Sequence, residues 1–273
     1  MRVNWKVARS HLITLAALCL LVATPLSADD VPVRYKEGVV HGFLVLRSEE
    51  GKAIADGDLI QTVRGELVTS RLLFRFKDGS VHDETAVFSQ RRQFRLVTDH
   101  LMQKGPAFQH PIDVNIDVSK RRMTAHTTDD DGKEKFYTDE IQFPADLANG
   151  MILTILKNVR SSATQTQVSM VAVTPKPRMV KLAITPLGTE PFSVGSSGRK
   201  AIHYVVKIEI GGIAGIVAPV LGKQPPETHV WILGGEAPAF IKSTGPLYNG
   251  GPIWQIELTS PVWPQKPAEE SKN

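Results

Sequence analysis

His82, Asp83 and Glu84 stand together just after the pair Asp78-Gly79, and His100 follows on the next apolar run. A divalent metal would accept His82, Glu84 and His100, since a catalytic zinc needs three protein ligands and one open position. Whether the three converge is a matter of strand register. If Asp78-Gly79 is a two-residue turn, Phe76 faces Val81 and Phe74 faces Asp83. If Lys77-Asp78-Gly79 is a three-residue loop, Phe74 faces His82, and Glu84 and Phe88 share that face. A slip of one residue exchanges inside for outside. The three-residue loop is preferred because it buries Phe88. In FRLVTDHLM, period two from Phe94 brings His100 into phase with Leu96 and Met102, so His82, Glu84 and His100 would share one apolar-lined space. That arrangement describes a metal-dependent hydrolase. Against it, no His-Glu-x-x-His or comparable ligand spacing occurs, and single histidines on strands more often bond to backbone or to a partner carboxylate.

Other polar clusters resolve into turns. Asp129-Asp130-Asp131-Gly132 would place threonines at the first and last positions of a calcium loop, where Asp and a bidentate Glu are needed; an acidic hairpin turn is the better reading. Gly195-Ser196-Ser197-Gly198 lacks the spacing of a nucleophile elbow. Gly211-Gly212-Ile213-Ala214-Gly215 lies between strands and opens no helix, so it is no dinucleotide fingerprint. Ser119-Lys120-Arg121-Arg122 is basic but has no interleaved aromatics, as expected of a solvated turn. No cofactor motif is present, and nothing in the sequence demands an enzyme. Trp231, Phe240, Tyr248, Trp254 and Trp263 are spread among Gly and Pro, where rings either edge a pocket or pack across a sandwich.

The elements that must position these residues are strands. IDVNIDVS (112–119), IHYVVKIEI (202–210) and IWQIELTS (253–260) alternate apolar and polar residues, the pattern of antiparallel strands with one wet face. Glu50-Gly51, Asp56-Gly57, Arg64-Gly65, Asp78-Gly79, Asp131-Gly132 and Asn249-Gly250 fall between apolar runs as turn signals. A mainly β fold follows: a large antiparallel meander, half-barrel or sandwich-like. One segment departs from period two. After Phe143-Pro144, Leu147, Met151, Ile155 and Val159 recur four apart, which predicts a helix over 144–159. Ile152, Leu153 and Leu156 make it apolar on nearly every side, so it must be covered, for which a sheet's concave face is suited. The chain then reads as one β-rich domain over 29–263, with lobes at 29–143 and 160–263 joined by this helix. The polar tail 264–273 is expected to be disordered.

Export is read from the start of the chain. Arg2, Lys6 and Arg9 precede the apolar run LITLAALCLLVA, and Pro25-Leu26-Ser27-Ala28 suits cleavage, so residues 1–28 read as a signal peptide. Leu18 before Cys19 is too large for a lipid-attachment site. Removal of 1–28 takes away the single cysteine, which leaves no thiol for a disulfide or a metal. It also takes three of the 32 Lys and Arg and none of the 28 Asp and Glu, so the excess falls to 29 − 28, one charge. Nucleic acid is therefore not an expected partner. No transmembrane span is expected in the mature chain, which would be secreted, or periplasmic in a Gram-negative source.

A signal peptide, a long meander, one apolar helix and more strands make an order that resembles the periplasmic lipoprotein carriers and their outer-membrane receptors. It also resembles related uncharacterised exported bacterial families, and such runs as FRFKDGS, FPADLANG, GKQPPETHVWI and GGPIWQIEL read like signatures. The resemblance implies an open half-barrel whose curved sheet wraps a helix and leaves a cavity for an acyl chain. By phase, Phe74, Phe76, Phe88, Met151, Ile155 and Trp254 would line it. Three jobs result: binding or carrying a hydrophobic, lipid-like ligand; metal-dependent hydrolysis; and a scaffold that offers strand edges to envelope proteins.

Overall fold

The computed structural model describes residues 31–129, 131–173, 177–194, 197–209 and 225–260. The expected signal peptide, the Gly-rich run 211–222, Trp263 and the tail lie outside them. Among the described residues fourteen strands form one antiparallel sheet: β1 (Val40–Arg47), β2 (Ala53–Arg64), β3 (Leu67–Phe76), β4 (Val81–Gln90), β5 (Phe94–Lys104), β6 (Ile112–Asp117), β7 (Arg122–Thr128), β8 (Glu134–Glu140), β9 (Thr166–Ala172), β10 (Arg178–Val194), β11 (Ser197–Glu209), β12 (Thr228–Leu233), β13 (Ala239–Pro246) and β14 (Ile253–Thr259). Their order is β8-β7-β6-β5-β4-β3-β2-β1-β14-β13-β12-β11-β10-β9. Every neighbour in the sheet is also a neighbour in sequence except β1 and β14, which pair Phe43 with Thr259 through Arg47 with Gln255. The first and last strands thus close the middle of the sheet, and β8 and β9 are its edges.

Among the described residues one helix, α1 (Ile152–Asn158), lies on the sheet's inner face. Buried apolar residues from both halves of the sheet join with Leu147, Met151, Ile155, Leu156 and Val159 in a single core cluster. The helix is shorter than the 144–159 predicted, for two reasons. Asp146 does not cap it; its carboxylate accepts hydrogen bonds from Ser169 Oγ (2.9 and 3.0 Å) and Lys181 Nζ (3.1 Å). Gly150 then adopts φ +64°, which interrupts right-handed helix. The segment before α1 serves instead as a cover for the edge of β9. Leu147 bridges Ser169 in parallel, Ala148 N–H donates to the Ser169 carbonyl, and the Asn149 side chain bonds both backbone groups of Val171. Unpaired edge groups are a liability in any sheet, and here part of one edge is satisfied. The four-residue spacing still marks the inner side: Leu147, Met151, Ile155 and Val159 are all buried.

The far end of α1 is tied to both halves of the sheet. Asn158 Oδ1 accepts the backbone N–H groups of Arg34 and Tyr35 at 2.8 and 2.7 Å. Tyr204, on β11, donates its hydroxyl to the Val159 carbonyl at 2.9 Å, and burial pushes that phenol up to about 12. The strap 31–38 is further clamped to β4, where the Gln90 amide accepts from Glu37 N–H and donates to the Glu37 carbonyl.

The turn after β3 is the three-residue loop: Phe76 N–H donates to the Ser80 carbonyl and Phe74 pairs with His82. Asp56-Gly57 is not a turn. Gly57 lies mid-strand in β2 opposite Phe74, whose ring occupies the space a side chain would need; a Cβ there would sit 2.4 Å from the ring. No helix among the described residues is long and apolar enough to cross a membrane.

Candidate functional site

The sheet and α1 do not close on each other everywhere. Between them is a cavity of about 730 Å³, within the roughly 300–1,000 Å³ of small-molecule sites. Registers across β1 to β4 explain where it lies. One inward row carries Gly42, Leu59, Leu72 and Glu84, and the next Val40, Gln61, Ser70 and Ala86. These rows are short or straight-sided, and α1 opposes them with Ile152 and Leu153 rather than with rings. Phe240 and Ile256 complete the apolar wall. The mouth is formed by the strap 34–38, by 236–239 before and at the start of β13, and by Lys157 near the end of α1. Lys157 Nζ is ion-paired with Glu37 at 2.5 Å, both side chains largely buried. Val40 and Leu258 are partly exposed at the cavity, 38% and 45%, which gives it an apolar lip.

Polar groups border the cavity as well. Glu84 borders the cavity beside Gly150, whose backbone hydrogen-bonds to its carboxyl. Asp99 lies on the same inner face of β5, diagonal to Glu84, because Ala86 pairs with Asp99 and Glu84 with Leu101. Asp99 is 2% exposed and its Oδ1 has no hydrogen-bond partner. Burial pushes the Glu84 carboxyl up to about 7. Burial, and then the Glu84 charge beside it, hold Asp99 well above the usual carboxylate range. Both carboxyls are thereby biased toward the protonated form. Gln61, 3% exposed, also borders the cavity, and its Oε1 is unpartnered.

The metal triad does not form. His82 and Glu84 do share the inner face, as the three-residue loop requires. His100 is on the outer face, where its Nε2 meets Asp113 Oδ1 at 3.1 Å. The cause is a β-bulge. Leu96 pairs with Phe88 and Thr98 with Val87, so Val97 is an extra residue and every later side chain of β5 changes face. Asp99, expected outside, goes in; His100 and Met102 go out. His82 is itself a core histidine. Gln103 Nε2 donates to its Nδ1 at 2.9 Å, and burial lowers the imidazole to about 4, so the ring is neutral. Among the described residues, no group of three or more His, Cys, Asp and Glu is placed to hold a metal.

Of the six residues assigned to a lining by phase, Phe74, Phe88, Met151 and Ile155 are nearly inaccessible, and Phe76 and Trp254 are each 7% exposed. Phe74, Phe76, Phe88 and Trp254 face the helix side of the sheet, Met151 and Ile155 belong to the α1 segment packed against it, and none of the six borders the cavity. Phe76 and Trp254 instead form an aromatic cluster with Phe108 and Tyr248, with ring centroids 5.3–6.4 Å apart. Of the scattered aromatics, Phe240 does edge the cavity. Trp231 stacks on His203 (4.2 Å between centroids) and donates to Glu190.

No protein-family model matches the chain, and no curated protein matches it. Among solved structures it is similar to a β-barrel-like protein of a domain of unknown function, DUF1849, from Brucella abortus. The two are 10% identical, with a TM-score of 0.43 over 82% of this chain and 98% of that one.

Proposed function

We propose that this is an exported envelope protein that binds or carries a hydrophobic, lipid-like ligand in the cavity between α1 and strands β1 to β4. The observation that carries the reading is the cavity itself: about 730 Å³, walled by Leu44, Leu59, Leu72, Ile152, Leu153 and Phe240, and reached through an apolar lip. A void of that size inside an otherwise packed core forfeits dispersion contacts, which a ligand restores. Transfer of a chain into it gains ~25 cal/mol for each Å² removed from water. The partly exposed Val40 and Leu258 supply a route by which a chain enters without crossing the buried Lys157–Glu37 pair.

The test is native mass spectrometry of the protein purified without detergent, followed by mass spectrometry of its solvent extract. A stoichiometric amphiphile is expected. A protein that is ligand-free as isolated and takes up no dodecyl-chain amphiphile of any charge would sink the reading.

A further inference from the structure

We propose that β8 is a self-association edge: two copies of this chain join β8 to β8, antiparallel, about a two-fold axis at Phe136. The inference goes beyond the cavity reading, which neither requires it nor falls with it.

The two edges of the sheet differ. β9 is partly covered by Leu147, Ala148 and Asn149. Among the described residues β8 has no such cover: every residue of it except Tyr137 is exposed. Phe136 is 72% exposed and stacks on His126 of β7, with ring centroids 4.2 Å apart.

Hydrogen-bond parity fixes which backbone groups this edge offers. Asp129 N–H donates to the Lys133 carbonyl at 3.0 Å, and Ile141 N–H to the Arg121 carbonyl at 2.8 Å. Tyr137 pairs with Ala125 in the same register, so Lys135, Tyr137 and Asp139 turn their backbone groups toward β7. Glu134, Phe136, Thr138 and Glu140 turn theirs away from the sheet. An antiparallel partner strand must bond to those four.

A two-fold pair sets each residue of β8 opposite one residue of the other copy. Charges on an edge generally keep it single, and here they exclude most registers. An axis at Lys135 opposes two lysines. One at Tyr137 opposes Glu134 with Glu140 twice over, and one at Thr138 sets Phe136 against Glu140. An axis at Phe136 opposes Phe136 with itself, Glu134 with Thr138, Lys135 with Tyr137 and Lys133 with Asp139. It brings the exposed rings together, flanked by both copies of His126, and joins opposite charges with no like pair. Such self-complementarity is met by a second copy and not by an arbitrary strand. One shared strand pair makes a small, reversible interface.

The experiment is sedimentation velocity of the full mature chain over a range of concentrations, with amide hydrogen exchange at the lowest and highest. A monomer–dimer equilibrium is expected. Exchange at Phe136 and Thr138 slows in the dimer, while that at Tyr137, already bonded to β7, is unchanged. Thr138→Pro removes an outward N–H and leaves the ladder to β7 whole; Phe136→Lys opposes two lysines on the axis. Each is expected to weaken self-association about tenfold or more, with the monomer's circular dichroism unchanged. Should the proline variant not fold, the substitution at the exposed Phe136 serves. Phe136→Cys, on the axis, is expected to oxidise to a disulfide-linked dimer, and Thr138→Cys is not. A chain that is monomeric at every concentration, its edge left for another protein's strand, overturns the proposal. So does a dimer that survives Phe136→Lys, or one that crosslinks through Thr138→Cys rather than Phe136→Cys.

Discussion

Two stretches of β3 share one face of one sheet and have opposite fates. Phe76 and Phe74, at its end, are buried against rings: Phe76 against Phe108 and Trp254, and Phe74 over the bare backbone of Gly57. Leu72 and Ser70, the next two inward positions, border a void. Period two is unbroken between them, so the difference does not come from which way the side chains point. It comes from what stands opposite. Aromatic rings from the 106–108 turn and β14 fill one end, while the other meets a short helix that begins late. Direction along a strand is local; filling is set by distant parts of the chain.

Mutations sharpen that contrast, beginning with the largest. Phe74→Ala is expected to cost about 4 kcal/mol, since a fully buried ring is lost and Gly57 cannot fill its place. Leu72→Ala only enlarges an existing void and is expected to cost about 1 kcal/mol. Urea unfolding of both variants measures the difference, and equal losses would mean that the hollow end is packed in solution. Gly150→Ala is expected to cost about 3 kcal/mol, from left-handed strain together with overlap on Ala86 and Asp99; the same unfolding assay reads it.

A smaller effect depends on pH. The folded carboxyl of Glu84 titrates at about 7, above its ordinary 4.5, and that of Asp99 is also raised. Between those values the folded state binds more protons than the unfolded chain, so stability falls as pH rises from about 4.5 to 7. Glu84→Gln is expected to lessen that fall: Tm measured at pH 8 rises relative to wild type, and at pH 4 the two nearly coincide. Unchanged curves would place the carboxyl in water. The smallest effect is expected at His100→Ala, within about 0.5 kcal/mol, because its pair with Asp113 is exposed on the outer face. Uptake of dodecyl-chain amphiphiles by this variant should also match wild type.

Much of the architecture was legible in the residues. Alternation located β6, β11 and β14, burial of Phe88 chose the loop at Asp78-Gly79, and the spacing of Leu147, Met151, Ile155 and Val159 marked an inward side. Three things were not. The bulge at Val97 has no residue signature: period two from Phe94 runs straight through it, and so His100 was drawn inward in place of Asp99. The late start of α1 depends on Asp146 being held by Ser169 and Lys181, a contact between segments far apart in sequence. Asp56-Gly57 has turn composition, and only the ring lying across it explains the glycine. Glu84 was singled out from its type, but its proper neighbour, Asp99, follows from register rather than from spacing.

The pairing of β1 with β14 has a kinetic consequence. Each half of the sheet is a chain of hairpins whose partners are close in sequence and quick to meet. Joining the halves requires the two ends of the described chain to find each other, Phe43 beside Thr259, the costliest loop closure in the molecule. The central seam is therefore expected to form late in folding, after both meanders and the helix segment that connects their outer edges are in place. A sheet whose middle forms last remains open to its interior until the final step.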